Sequence, residues 1–190
     1  MNKREQLLSN AVKLFAQQGY ENVGVQELVE SAGVTKPTLY HYFGSKAGLL
    51  KTLMSEQSSD FIVRLGSVTS YEHDLIKSLM DTALCFFNFA VEQEDFYKLL
   101  MISPWQARES EFAQILQEYK LKEYQLLKQL FAAAEQDHGN MKGRSERYAM
   151  SFYGMLNTYI GFYFSNKAGI KLDEESAYTA CHQFMHGIFS

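Results

Sequence analysis

Apolar residues recur at helical spacing along almost the whole chain. The first such segment follows the i, i+3, i+4, i+7 pattern of an amphipathic helix, at Leu7, Leu8, Ala11, Val12, Leu14 and Phe15. Asn2 and Glu5 have the spacing of a capping box, and Gly19 suits the position that follows the last turn. The pattern therefore predicts a first helix of roughly four turns.

Two shorter segments with the same spacing come next. One begins after Gly24 and ends before Gly33, and the other has Thr35 as its N-cap, Pro37 in its first turn and Gly44 at its end. The apolar positions of this pair, which we expect to face inward together, are Val25, Leu28, Val29, Ala32, Leu39 and Phe43.

The rest of the chain continues the pattern in longer stretches. Ser45 can cap a fourth helix, which we expect to end near Arg64, before a break at residues 66–70. Further helices are predicted over about 74–91, 93–103, 109–136 and 145–166, and Asp173 begins the last one. There is no alternating strand pattern bounded by hairpin turns. The expected fold class is therefore all-α, with about nine helices.

Charge divides the chain into two parts. The 190 residues carry a net charge of −4, yet residues 1–51 hold six basic and four acidic side chains, a net charge of +2. Residues 52–190 hold the other 12 basic and 18 acidic side chains, a net charge of −6, together with 22 of the 27 aromatic residues. We therefore expect a small N-terminal domain, 1–51, and a larger C-terminal helical domain, 52–190.

Cysteine content and hydropathy favour the cytoplasm. Two cysteines are too few for a disulfide framework, which indicates a reducing compartment. The N-terminus lacks the apolar run of a signal peptide, and the most apolar stretch, 152–164, is shorter than the roughly 20 residues that a membrane span needs. We expect a cytoplasmic protein without a membrane partner.

Two short helices with a glycine in the turn between them are the arrangement of a helix-turn-helix. Gly33 permits the left-handed backbone of a tight turn, and the second short helix is polar on the face opposite Leu39 and Phe43. The N-terminal residues of such a helix enter the major groove, where polar side chains contact base edges and phosphates. The predicted DNA-binding residues, including a phosphate-anchoring lysine at the start of the fourth helix, are Lys36, Pro37, Thr38, Tyr40, His41, Tyr42 and Lys46.

The sequence of this region resembles a known family. The stretch VQELVESAGVTKPTLYHYFGSKAGLL, with a lysine three residues after TLYHYF, is similar to the DNA-binding segment of the TetR family of bacterial transcriptional regulators. LFAQQGY before it fits the family pattern LFAxxGY, so the resemblance covers about residues 5–53. Gly24 departs from the pattern, where Ser or Thr often caps the second helix, and Pro37 stands at a site that is more often Gly, Ala or Ser.

The resemblance implies a homodimer whose two heads occupy successive major grooves of a pseudo-palindromic operator in double-stranded DNA. It also implies repression that ends when a small effector binds the C-terminal domain. We accordingly expect a ligand-responsive transcriptional repressor that has no cofactor and is not an enzyme. The alternative is a small all-α enzyme or ligand-binding protein in which the helix-turn-helix is only structural.

A stripe of small residues runs along the helix predicted over 145–166, at spacings of three and four. Such a stripe lets another helix approach closely, and the resemblance places the main dimer contact on the last two long helices. The alternative is packing within one subunit. The stripe and two histidines of the last helix form the predicted dimer interface: Ser151, Gly154, Thr158, Gly161, Ser165, His182 and His186.

Large aromatic and methionine side chains lie beside this stripe and on the preceding helices. With two asparagines that would orient a guest, they are candidate walls of a site for an apolar or aromatic effector. The alternative is that they form ordinary core. The candidates are Phe86, Asn88, Phe89, Tyr97, Met101, Trp105, Tyr124, Phe152, Met155, Asn157 and Tyr159.

Motifs of catalysis do not occur: the sequence has no GxxxxGK, GxGxxG, HExxH or GxSxG. His182 and His186 are one turn apart and have the spacing of two metal ligands, but no third ligand lies in local register, so we predict no metal site. Cys85 and Cys181 are expected to be buried thiols.

Overall fold

The computed structural model describes residues 2–102, 110–166 and 169–187, and its regular secondary structure is entirely helical there. The helices are α1 (Lys3–Gln18), α2 (Val25–Ser31), α3 (Lys36–Phe43), α4 (Lys46–Val68), α5 (Leu75–Glu92), α6 (Glu94–Met101), α7 (Glu111–Ala134), α8 (Ser145–Phe164) and α9 (Glu174–His186). A short 3-10 helix, Gly139–Met141, lies between α7 and α8. The predicted all-α fold with about nine helices is confirmed over these ranges.

Local sequence signals set the starts of α1, α4, α5 and α9. The Asn2 side chain accepts the Glu5 N–H at 2.9 Å, and the Glu5 carboxylate accepts the Asn2 N–H at 3.0 Å, which completes a capping box. The side chains of Ser45, Asp74 and Asp173 likewise each accept a backbone N–H at 2.9 Å, at the starts of α4, α5 and α9. These contacts supply partners for amide groups that the helices leave free.

Several helix boundaries differ from the prediction. α4 runs on to Val68 through the predicted break. A single glycine inside a helix, here Gly66, costs only about 1 kcal/mol relative to alanine. The last turn is also stabilised by Thr69, whose backbone N–H and hydroxyl both donate to the Leu65 carbonyl, at 3.0 and 2.8 Å. Thr35 is the N-cap of α3 by backbone position, but its hydroxyl contacts the Thr38 hydroxyl at 3.0 Å instead of a backbone N–H. The C-terminal ends of α6, α7 and α8 each lie two residues before the predicted ends.

Contacts between Cα atoms group the chain into two compact units. The first unit contains residues 1–60 and 94–120, and the second contains residues 61–93 and 121–190. In the first unit, α1 packs against α2, α3 and α6. Its core includes Leu7, Phe15, Leu28, Leu39, Leu53 and Phe96. The predicted division into domains 1–51 and 52–190 stays a prediction.

The second unit has an aromatic core in which α5 packs against α8 and α9. The Phe61 ring stacks on Phe89, with ring centroids 4.1 Å apart, and meets Phe86 edge-on at 5.1 Å. Phe184 of α9 contacts Phe152 of α8 at 5.1 Å. Among the described residues, no helix is both long enough and apolar enough to span a bilayer.

Candidate functional site

The helix-turn-helix predicted from the sequence is present in the first unit. α2 and α3 pack against each other and on α1, with Leu28, Val29, Leu39 and Phe43 buried. Gly33 in the turn has φ +60°, a left-handed conformation that favours glycine. Burial of Leu39 and Phe43 fixes which face of α3 points away from the core.

The opposite face of α3 is open to solvent. Tyr40 and Tyr42 are large aromatic side chains that are nevertheless 48% and 43% exposed. The other residues of this face are Lys36, Pro37 and His41, which are exposed, and Thr38, which is half-buried. All six predicted α3 residues are thus exposed or half-buried, and they include hydroxyl, imidazole and ammonium groups, which are groups that contact base edges and phosphates.

Gly48 positions α3 relative to α4, and sequence reasoning missed it. A Cβ at position 48 would overlap the carbonyl oxygen of Phe43, the last residue of α3. Gly44 between the two helices has φ +73°, which also favours glycine. The short connection Gly44–Ser45 and the close approach at Gly48 together bring the start of α4 against the end of α3.

Lys46 differs from the predicted DNA-binding residues of α3 because its charged group already has acceptors within the protein. Its ammonium is half-buried and donates to the backbone carbonyls of Tyr20 at 2.6 Å and Val23 at 2.8 Å. Two of its three donors are engaged within the protein, and its role as a phosphate anchor stays a prediction that would use the third.

The effector candidates are divided between the units. Tyr97, which is buried, and Met101, which is half-buried, belong to the first unit, and Trp105 lies outside the described residues. The second unit contains the other candidates. Three of them are buried, namely Phe86, Phe89 and Phe152, and Asn88 is exposed. The remaining four are half-buried: Tyr124, Met155, Asn157 and Tyr159.

Two polar features of the second unit were not found from sequence. The Tyr153 hydroxyl donates to the carboxylate of Glu123 at 2.7 Å, and Glu123 is only 4% exposed. Thr82 on α5 is fully buried, and its hydroxyl has no hydrogen-bond partner among the described residues. Buried polar groups normally have partners, so these side chains mark polar positions within an aromatic core.

The small-residue stripe of α8 faces solvent. Ser151, Gly154, Thr158 and Ser165 are exposed and Gly161 is half-buried. The hydroxyls of Thr158 and Ser165 donate to carbonyls of their own helix, at 2.8 and 3.0 Å, so both already have an acceptor within the subunit. Two large apolar residues beside the stripe, Met150 and Phe162, are 63% and 43% exposed.

His182 and His186 are exposed on α9, with ring centroids 4.4 Å apart. Within the described ranges, no group of three or more His, Cys, Asp or Glu side chains is placed to hold a metal ion. Cys181 is buried, as predicted, and burial raises the pKa of its thiol to about 11. Cys85 is half-buried, so the prediction of a buried thiol was wrong there.

Some known proteins match only the N-terminal segment of the chain, and others match nearly its whole length. A sequence model of the family described as "Bacterial regulatory proteins, tetR family" matches residues 7–53, the segment that contains the helix-turn-helix. The HTH-type transcriptional repressor BdcR of Escherichia coli is 44% identical over 52 residues, which are 27% of this chain and 26% of that protein. The HTH-type transcriptional activator FasR of Mycolicibacterium smegmatis is 24% identical over 185 residues, which are 97% of this chain and 82% of that protein.

Solved structures match the fold over the full length. The transcriptional regulator FadR from Bacillus subtilis, solved in complex with stearoyl-CoA, superposes with a TM-score of 0.80 at 19% identity. The match covers 97% of this chain and 98% of that one. At this identity, the likeness describes the arrangement of helices.

Proposed function

This chain belongs to the tetR family of bacterial regulatory proteins, and from that premise we propose that it represses transcription as a homodimer on a pseudo-palindromic DNA operator. The observation that carries the proposal is the accessibility of α3, where Tyr40, His41 and Tyr42 are exposed and Thr38 is half-buried while Leu39 is buried. A helix held by its apolar face presents this polar face to a major groove.

Selection of bound DNA from a random pool tests the proposal. We expect a palindrome with half-sites about one helical turn apart, because two heads in a symmetric dimer reach successive major grooves. Thr38→Ala and Tyr42→Ala should weaken binding to that DNA in fluorescence anisotropy while leaving the circular dichroism spectrum unchanged. Selection of no sequence, or unchanged affinity in both variants, would refute the assignment.

The salt dependence of binding separates phosphate contacts from other effects. Removing one phosphate contact should reduce the slope of log K against log salt concentration by about 0.9. Lys36→Met is therefore expected to flatten the slope, and Lys122→Met, on the exposed side of α7 and outside α3, is the matched control that leaves it unchanged. A slope that is equal in both variants contradicts a role for Lys36 at a phosphate.

We assign the dimer contact to the stripe on α8 and the exposed face of α9. A Cβ at Gly154 would meet no atom within 4 Å inside the subunit, so the subunit itself does not require glycine there. A glycine in an exposed helix costs about 1 kcal/mol relative to alanine, and close approach of a second copy would account for it. Tyr178, 60% exposed on α9, and the two histidines extend this surface.

The effector site belongs, in this proposal, to the second unit. Its aromatic side chains suit the apolar body of a ligand, and the polar Tyr153–Glu123 pair suits a group that donates a hydrogen bond. Stearoyl-CoA, the ligand in the Bacillus subtilis FadR structure, is the first compound to test. We expect it to lower the anisotropy of the protein–DNA complex and CoA alone to leave it unchanged. If neither releases the DNA, stearoyl-CoA is refuted as the effector.

Release of DNA by a bound effector requires no catalytic step. In this proposal the protein is cytoplasmic, where it has access to DNA. A ligand that prefers the DNA-free conformation lowers operator affinity, and the operator lowers ligand affinity by the same factor. Titrating the effector with and without DNA measures this reciprocity. Conversion of the effector into a product, detected by mass spectrometry, would instead favour the enzyme alternative.

A further inference from the structure

His182 and His186 lie one turn apart on the exposed side of α9. Their ring centroids are 4.4 Å apart, and the ring of Tyr178, one turn earlier, contacts the His182 ring at 5.8 Å. The opposite side of the helix is fixed in the subunit, where Ala177 and Cys181 are fully buried. The two imidazoles are therefore held side by side at the surface by a helix whose orientation is set by its buried face.

The nitrogen atoms of these two rings are available to a ligand. Neither ring makes a hydrogen bond or an ion pair with the residues that the structure describes. His73, by contrast, contacts the carboxylate of Asp137 at 2.6 Å through Nδ1. A neutral imidazole has one ring nitrogen that can accept a proton or bind a metal, so the pair presents two nitrogen ligands on one side of α9.

The separation of the two rings suits a single metal ion. Two imidazoles bound to the same Zn²⁺, each with a Zn–N distance of about 2.1 Å, have ring centroids roughly 5 Å apart. The observed 4.4 Å is close to that value, and two histidines at positions i and i+4 of a helix are a recurrent pair of zinc ligands. Ca²⁺ and Mg²⁺ take oxygen ligands instead, so the chemistry of the pair favours a transition-metal ion.

Two ligands from one subunit do not complete a zinc site. Structural zinc is almost always bound by four ligands, and within the described ranges no third His, Cys, Asp or Glu joins the pair. The histidines lie on the surface that we assign to the dimer contact, together with the exposed Tyr178 and Phe162. Two-fold symmetry brings each residue of such a contact from both copies, so a second subunit supplies two more imidazoles. Burial in the contact would separate the ring nitrogens from water, and coordination to a metal offsets that cost.

We propose that His182 and His186, with the same two residues of a second copy, bind one zinc ion across the dimer interface. The inference rests on the proposed dimer contact. It departs from the expectation of no metal site, which considered the ligands of a single subunit. Because the complete site exists only in the dimer, zinc stabilises the dimer and with it the fixed spacing of the two DNA-binding heads. Zinc therefore favours the DNA-binding form, the opposite effect to that of the proposed effector.

Calorimetric titration of the whole chain with Zn²⁺ alone measures the stoichiometry. We expect one tightly bound ion per two subunits, and His182→Ala and His186→Ala should each abolish this binding. His73→Asn removes an exposed histidine outside the pair and is the matched control, which should bind zinc as the wild type does. Co²⁺ in place of zinc should show the intense visible absorption of a tetrahedral site. One ion per subunit, or the weak cobalt spectrum of an octahedral site, indicates chelation by one helix and overturns the proposal.

Sedimentation velocity measures the link between zinc and dimerisation. If zinc binds only the dimer, a free zinc concentration about 100 times its dissociation constant should lower the dimer dissociation constant about 100-fold, and EDTA should reverse the change. The dimer dissociation constants of His182→Ala and His186→Ala should not respond to zinc, whereas that of His73→Asn should respond as in the wild type. A wild-type dimer whose dissociation constant is unchanged by zinc overturns this inference and leaves the proposed homodimer intact. A wild-type chain that stays monomeric with and without zinc refutes the proposed homodimer as well.

Discussion

Replacing Gly154 by tryptophan is expected to separate the proposed dimer without unfolding the subunit. Position 154 is exposed on α8, and a Cβ there meets no atom of the subunit within 4 Å. Any residue other than proline is a better helix former than glycine, so the substitution should leave the free energy of unfolding of the subunit unchanged or raise it by a few tenths of a kcal/mol.

The interface would respond very differently. Forcing extra atoms into a well-packed contact costs about 1–3 kcal/mol, and two-fold symmetry introduces the change twice, which gives about 2–6 kcal/mol. Since about 1.4 kcal/mol corresponds to a factor of ten, the dimer dissociation constant should rise by roughly 30-fold to 20,000-fold. DNA affinity should fall with it, because two linked heads bind more tightly than one.

Sedimentation velocity over a concentration series measures the dissociation constant, and urea unfolding measures subunit stability. Gly66→Trp is the matched control, because Gly66 is also helical, on α4, and a Cβ there meets no atom within 4 Å. We expect the control to keep the wild-type dissociation constant. If Gly154→Trp dimerises as tightly as the wild type, the stripe of α8 is not the interface and the reasoning from its exposure is wrong.

Three further predictions concern stability. Thr82→Val replaces a buried hydroxyl without a described partner by a methyl group, so the free energy of unfolding in urea should rise by about 1 kcal/mol, and a decrease would show that the hydroxyl has a partner. Asn2→Ala removes the capping box and should cost about 1 kcal/mol by the same assay, whereas an unchanged midpoint would mean that the first turn is frayed. Hydrogen bonds from His73 and Tyr71 hold the pKa of Asp137 below its ordinary value of 3.8. These hydrogen bonds therefore stabilise the folded state fully above pH 3.8, and the stabilisation is lost as the pH falls through the pKa of Asp137 in the folded protein. Asp137→Asn should therefore flatten the acid limb of a stability profile measured between about pH 5 and 2, and an unaltered limb would contradict this.

The parts of the fold that sequence reasoning found are those encoded within a few residues. Asn2 with Glu5, Ser45, Asp74 and Asp173 are local capping signals, and each lies at a helix start in the structure. The accessibility of the α3 residues was equally predictable, because Leu39 and Phe43 mark the side of the helix that is buried; their contact with DNA stays a prediction.

The parts that it missed depend on contacts between distant segments. Lys46 looked like a free lysine at a helix N-terminus, and only the folded α1–α2 turn shows that its ammonium already has acceptors. Glu123 has the pattern of a surface residue of α7 until Tyr153, 30 positions later, supplies its hydrogen bond. Gly48 gave no signal because the atom that excludes a side chain, the Phe43 carbonyl oxygen, is placed by the angle between two helices.

The membership of the first unit has a consequence for the order in which the chain folds during synthesis. α1 packs on α6, and the unit that begins near residue 1 is completed only by residues 94–120. At 5–20 residues per second, a ribosome needs about 3–12 s to advance from residue 60 to residue 120. During that interval α1 contacts α2 and α3 but lacks α6, so the part of its surface that α6 covers is exposed to chaperones and to other nascent chains.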